Sequence, residues 1–183
     1  MSGVRDRNIF IDWGTTNVRA FLVDFDGNVL DRRESDKGVK YVEEARFPEV
    51  YQNLINGWGR AACTLMAGMV GSANGWEEAA YISLPASIEE IRRGLHPLSS
   101  MDRVFIVPGL SYCSTDNIYD VIRGEEVQVL GLLEKKRSSW EDDRENHLVC
   151  LPGTHSKWLE TTKETIVSFT TVMSGDLFEA VCS

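Results

Sequence analysis

The chain has 183 residues, 43% of them hydrophobic and 26% charged, and carries a formal net charge of -9. That length and apolar content suit one full domain with part of another and exclude a disordered chain. The acidic balance argues against a surface built to neutralise nucleic acid phosphates or to cling to anionic lipid, so small ligands are expected; an anionic one must find positive potential in local amides, Lys, Arg or a metal.

Met1 to Arg7 is polar and the apolar run after it breaks at Asp12, so no signal peptide is expected. Nor does any stretch approach the ~20 apolar residues of a membrane span, which makes the cytoplasm the default location. Cys63, Cys113, Cys150 and Cys182 are widely spaced, without a CxxC pair or a His cluster, and suggest neither a disulfide framework nor a zinc site.

In chain order, Asn8 to Ile11 reads as a strand, Gly14-Thr15-Thr16 as a turn, and Val18 to Val23 as a second strand. The Asp26-Gly27 hairpin signal then leads into a third strand over Asn28 to Arg33. Val50, Leu54, Ile55 and Trp58 fall at helical spacing and predict a helix over Phe47 to Gly59. Cys63 to Val70 reads as a buried strand delivering a small-residue loop, Gly68 to Gly75. Ser87 and Glu90 form a capping box for a helix through Arg93, and Arg103 to Val107 is a further strand. Apolar positions from Val121 to Leu133 predict a long helix over Ile118 to Lys136. The polar segment after it marks a boundary, giving a first lobe at 1–137, a linker at 138–146 and a second, incomplete lobe at 147–183. Within the latter, strands are expected at His147 to Leu151, Lys157 to Thr161 and Thr165 to Val172, and a helix at Asp176 to Val181.

The segments "IFIDWGTTNVRAFLVDFDGNVLDR" and "LVCLPGTHSKWLETTKETIVSFTT" share a plan of strand, Gly-Thr turn, strand, hairpin and strand. A repeated opening implies two similar lobes. A Gly-Thr turn lets backbone approach a phosphate with no Cβ in the way, and two such turns facing each other would clamp a triphosphate, although either alone can be merely a turn. Gly14, Thr15, Thr16, Gly153, Thr154 and Ser156 are the candidate contacts, with Lys157 balancing charge. Asp12, at a strand end just before the first turn, is placed to hold magnesium through its waters, though a lone Asp can also cap a turn.

"DWGTT" resembles the first phosphate motif of the sugar kinase, heat-shock seventy and actin superfamily. Through "DWGTTNVRAFLVD", "AGMVGSANGWEEAAYISLPAS", "VFIVPGL", "VIRGEEVQVLGLL" and "LVCLPGTHSKW", nearly the whole chain is similar to the 2-keto-3-deoxygalactonate kinases. The resemblance implies an α/β, actin-like ATPase (ribonuclease H-like) lobe with a mixed sheet flanked by helices, plus the opening β-hairpin region of a second such lobe. It implies ATP and Mg2+ as cofactors and phosphorylation of the terminal hydroxyl of 2-keto-3-deoxygalactonate in galactonate breakdown, with a small-molecule sugar acid and ATP as partners rather than nucleic acid or membrane. By a parallel with exopolyphosphatases, "RGEE" makes Glu125 or Glu126 the candidate base; a solvated helix face with Arg123 is the bland alternative. The loop bearing Gly71, Ser72, Asn74 and Trp76 is the candidate sugar-acid site, with Arg19 or Arg123 for its carboxylate. No adenosine-binding segment is evident before Ser183, so impaired turnover and self-association through the incomplete second lobe are expected. A non-catalytic sugar-acid-binding module and a phosphohydrolase are the competing readings.

Overall fold

The computed structural model describes residues 7–136 and 146–182. In chain order its elements are β1 (Arg7–Trp13), β2 (Val18–Asp24), β3 (Val29–Ser35), α1 (Phe47–Leu54), β4 (Cys63–Ala67), β5 (Tyr81–Ser83), β6 (Ala86–Ser87), α2 (Ile88–Arg93), β7 (His96–Pro97) and β8 (Val104–Ile106). They continue with β9 (Gly109–Cys113), β10 (Tyr119–Ile122), α3 (Glu125–Lys136), β11 (His147–Leu151), β12 (Ser156–Thr161), β13 (Thr165–Val172) and α4 (Ser174–Cys182). The chain divides into two compact units, Met1–Ala80 with Gly94–Gly109, and Tyr81–Arg93 with Leu110–Ser183. The linker expected at 138–146 lies outside the described residues except for Asn146.

The first unit is built on a mixed six-stranded sheet in the order β3-β2-β1-β4-β8-β7. The opening meander β1-β2-β3 is antiparallel, whereas β4 and β8 run parallel to β1 and the edge strand β7 is antiparallel to β8, so β1 joins the antiparallel meander to the parallel part of the sheet. Period-two alternation sends Ile9, Ile11 and Trp13 of β1 inward and leaves Phe10 and Asp12 exposed. Val18, Ala20, Leu22, Met66 and Ile106 share that core with Phe47, Tyr51 and Leu54 of α1. These α1 positions repeat at i, i+4 and i+7, and Glu49 lies in the first turn, where it complements the helix dipole. The helix stops at Leu54 instead of reaching Gly59, because Gly57 and Gly59 sit at φ 83° and 73° and turn the chain toward β4.

The second unit holds two sheets, one ordered β10-β9-β5 and one ordered β11-β12-β13-β6. Its β11-β12-β13 meander is antiparallel throughout and reproduces the plan of β1-β2-β3, as the sequence repeat predicts. Even the register irregularity recurs, between Leu22 and Val23 in one meander and between Glu160 and Thr161 in the other. Leu159, Ile166 and Phe169 are buried, and Tyr112 of β9 packs its ring on Phe169 at 5.9 Å. The capping box of α2 forms as expected: the Ser87 N–H donates to Glu90 Oε2 at 2.8 Å, and the Glu90 N–H to Ser87 Oγ at 3.4 Å.

One expected helix starts too early. Instead of a helix over Ile118 to Lys136, residues 109–122 form a hairpin, with Tyr119–Ile122 paired antiparallel to β9, and the helix begins only at Glu125. The turn is made by Asn117 at φ 59°, and Gly124 at φ 109° separates strand from helix. No helix among the described residues is long and apolar enough to cross a membrane.

Candidate functional site

The first glycine turn connects β1 to β2. Gly14 donates its N–H to the Asn17 carbonyl at 2.9 Å, which closes the turn. The carbonyls of Gly14, Thr15 and Thr16 then accept from the N–H groups of Val39, Lys40 and Gly38 at 3.0, 3.0 and 3.1 Å. The turn's acceptors are thus spent on the segment after β3. Thr15 and Thr16 are exposed, and their N–H groups meet no acceptor among the described residues, which leaves two backbone donors unclaimed in a braced loop. Such an arrangement suits an oxyanion.

Asp12 lies opposite Arg19 in the β1–β2 register, on the exposed face at the same end of the sheet. Arg19 Nη1 donates to Asp12 Oδ2 at 3.5 Å, and the Asp12 side chain remains 53% exposed. The parallel strand β4 delivers its loop to this corner: a Cβ on Gly68 would come within 2.8 Å of the Trp13 carbonyl oxygen and 3.5 Å of Asp12 Oδ1. Asp12, the first turn, Arg19 and the start of the 68–76 loop are therefore brought together.

Within that loop the expected sugar-acid contacts separate. Gly71 is buried and accepts the Ala79 N–H, while the Ser72 hydroxyl donates to the Met69 carbonyl at 2.7 Å. Trp76, expected as a sugar-acid contact, is instead held in an aromatic cluster: its ring stacks on Phe47 at 6.1 Å and 15° and meets Trp13 and Tyr51 at 6.3 and 5.7 Å. Asn74 is exposed.

The second glycine turn, between β11 and β12, is braced in a parallel way. The N–H groups of Gly175 and Asp176, at the start of α4, donate to the Thr154 carbonyl at 3.0 and 3.2 Å. Thr154 and Gly153 are exposed, but Ser156 is buried with its hydroxyl against Ser174 Oγ and the Val172 carbonyl, so it secures α4 rather than facing outward. His155 Nε2 and Asp176 Oδ2 lie 2.7 Å apart. Lys157 Nζ donates to Thr171 Oγ1 at 2.7 Å.

At the start of α3, Glu125 and Glu126 both turn back on the helix N-terminus. Glu125 Oε2 accepts the Arg123 N–H at 3.0 Å, and the two oxygens of Glu126 accept the Gly124 N–H at 2.9 and 2.7 Å. Glu126 is 0% exposed. Burial pushes its carboxyl up to about 7, against the opposing pull of the Glu126 and Gly124 amides. Glu125 is only half-buried. Arg123 lays its guanidinium over the Tyr81 ring at 4.2 Å and donates from Nε to the Tyr81 hydroxyl at 3.3 Å.

A profile of the 2-keto-3-deoxy-galactonokinase family matches residues 12–183, which is nearly the whole chain. The chain belongs to that family. It is 38% identical over 172 residues to the 2-dehydro-3-deoxygalactonokinase of Escherichia coli strain K12, covering 93% of this chain and 55% of that protein. Against the Probable 2-dehydro-3-deoxygalactonokinase DgoK1 of Rhizobium meliloti strain 1021, identity is 34% over 174 residues, with 93% and 55% covered. The chain thus spans about half the length of these curated relatives. A crystal structure of a 2-dehydro-3-deoxygalactonokinase protein from Sinorhizobium meliloti superposes with TM-score 0.81 and 32% identity, over 96% of this chain and 57% of that one. The Aquifex aeolicus Ppx/GppA phosphatase, type II variant, shares the fold alone, with TM-score 0.51 and 13% identity over 96% and 55% of the two chains. The fold is therefore the mixed α/β, actin-like one that the motifs imply.

Sequence reasoning missed four residues around the two turns. Gly38 and Gly175 brace them, and their only signal is a second glycine about twenty residues downstream of each. Asp176 reaches His155 of the second turn, and Asp120 reaches Thr171 beside Lys157, through tertiary contacts that no local pattern announces.

Proposed function

We propose that this chain carries phosphate-binding and acceptor-orienting parts of an ATP-dependent kinase that phosphorylates the terminal hydroxyl of 2-dehydro-3-deoxy-D-galactonate. The observation that supports it most is the first turn: two unclaimed amides, Thr15 and Thr16, beside the exposed carboxylate of Asp12. In this reading those amides hold phosphate oxygens, and the exposed amide-bearing turn Gly153-Thr154 does the same, with Lys157 balancing charge.

Among the described residues no three His, Cys, Asp or Glu groups converge to cage a metal. A single exposed carboxylate such as Asp12 still fits Mg2+, which keeps most of its waters and takes further oxygens from a nucleotide. When bound there, Mg2+ would neutralise charge on the phosphate oxygens.

Glu125, the half-buried member of the pair, is the better placed to orient the acceptor hydroxyl and take its proton, while Glu126 caps α3 from within. Arg19 is the better choice for the sugar carboxylate, since the Arg123 guanidinium is stacked on Tyr81. Asn74 is the exposed polar side chain of the neighbouring loop.

A coupled assay for ADP release with 2-dehydro-3-deoxy-D-galactonate tests the proposal. Release that depends on both the sugar acid and Mg2+ is expected. No release, under conditions where the Escherichia coli relative turns over, would remove catalysis from this chain and leave only its family membership.

A further inference from the structure

We infer that Asp120 and Thr171 are positioning residues for Lys157 at the second glycine turn, a role that rests on the reading of that turn as a phosphate site. Lys157 and Thr171 are directly opposed in the β12–β13 register, and the Lys157 ammonium donates to the Thr171 hydroxyl at 2.7 Å. The Thr171 hydroxyl also lies 2.5 Å from Asp120 Oδ2, which accepts the Thr171 N–H as well, at 3.2 Å.

The direction of this chain of bonds follows from what each group can do. An ammonium only donates and an ionised carboxylate only accepts, so the hydroxyl between them has one arrangement: it accepts from Lys157 and gives its proton to Asp120. Bonds aligned head to tail polarise one another. Asp120 is on β10, in a different sheet from β12 and β13, so the relay reaches Lys157 from a separate element of the same unit.

Two consequences bear on a phosphate site. A lysine side chain is long and loses much rotamer freedom when held, and a fixed hydroxyl selects one position for Nζ before any ligand arrives. Asp120 also acts at one hydroxyl's remove. Among the described residues Lys157 makes no ion pair and engages only one of its three N–H groups, so there its charge is oriented without being cancelled by direct contact.

The test uses the intact chain. Acetic anhydride labelling read by mass spectrometry gives the reactivity of Lys157 against the exposed Lys163 in the same molecule. Thr171→Val and Asp120→Asn are expected to raise the Lys157 rate about tenfold, the order expected for losing a bond to a charged group, while Thr171→Ser stays within about twofold. Calorimetry with inorganic tripolyphosphate should show the same pattern: about tenfold weaker binding for Thr171→Val and Asp120→Asn, restored by Thr171→Ser, and no added loss from Thr171→Val in a Lys157→Met background.

Lys157 reactivity that stays at the parent level in folded Thr171→Val and Asp120→Asn proteins would overturn the relay. Equal weakening by Thr171→Val with and without Lys157 would overturn the positioning role in favour of plain sheet support. If the unsubstituted chain binds no tripolyphosphate, the phosphate assignment of the turn falls, and the labelling result alone then decides whether the relay exists.

Discussion

Gly38 lies so close to Thr16 that a Cβ on it would sit 2.2 Å from the Thr16 carbonyl carbon. The obstacle is backbone, which cannot swing aside as a side chain can. Gly38→Ala should therefore displace the first turn and cost about 1–3 kcal/mol, the range for forced overpacking. Gly131, in α3, has nothing within 4 Å of its would-be Cβ, and Gly131→Ala should instead stabilise by up to ~1 kcal/mol through helix propensity. Urea denaturation of the two variants checks both signs.

Glu126 predicts a pH dependence. Its folded pKa of about 7 lies above the ordinary 4.5, so between those values the folded state holds the proton more tightly than the unfolded one. The contribution of this group to stability is therefore fullest below about 4.5 and declines as pH rises to about 7, beyond which it is constant. The decline amounts to about 3 kcal/mol at most. Glu126→Gln keeps an acceptor for the Gly124 N–H and should abolish this slope, so the variant gains on the parent between about pH 5 and pH 7 by roughly that amount. Melting curves across the range would show it; parallel curves for the two proteins would contradict the assignment.

Activity should divide the two carboxylates differently. Glu125→Gln is expected to lower kcat about 10²-fold or more, as loss of a positioned base does, with little change in KM for ATP. Asp12→Asn should raise the Mg2+ concentration needed for half-maximal rate. Steady-state kinetics with varied Mg2+ and ATP measures both, and a Glu125→Gln enzyme with wild-type kcat would exclude Glu125 as the base.

Phe47 anchors the first unit's aromatic cluster, fully buried between Trp13 at 5.4 Å and Trp76 at 6.1 Å. Phe47→Ala should cost about 3–5 kcal/mol and release Trp76, which intrinsic tryptophan fluorescence together with denaturation would report.

The parts of the fold legible in the sequence are those with a local cause. The strand at Asn8 to Ile11, the Asp26-Gly27 hairpin and the Ser87–Glu90 capping box each depend on residues a few places apart, and each forms as expected. The helix expected from Ile118 starts only at Glu125 because Val121 and Ile122 satisfy a strand pattern equally well when only four residues are involved. Pairing with β9, an element that no local signal announces, decides between the two. The same applies to Trp76: its place in a small-residue loop makes it a candidate sugar-acid contact, whereas its ring is held by Phe47, Trp13 and Tyr51, all of them distant in sequence.

Of the candidate site, the sequence by itself determined the chemistry available: two Gly-Thr turns in a repeated frame, an acidic residue before the first, and a Glu pair ahead of the second. Tertiary structure decided which groups are free to use it. Whether a hydroxyl, amide or carboxylate faces outward depends on which partner has already taken its hydrogen bond, as Ser174 and the Val172 carbonyl take Ser156 and the Gly124 amide takes Glu126. Partners such as Ser174 and Val172 arrive from elements brought close only by folding, and no pattern of neighbours along the chain encodes them.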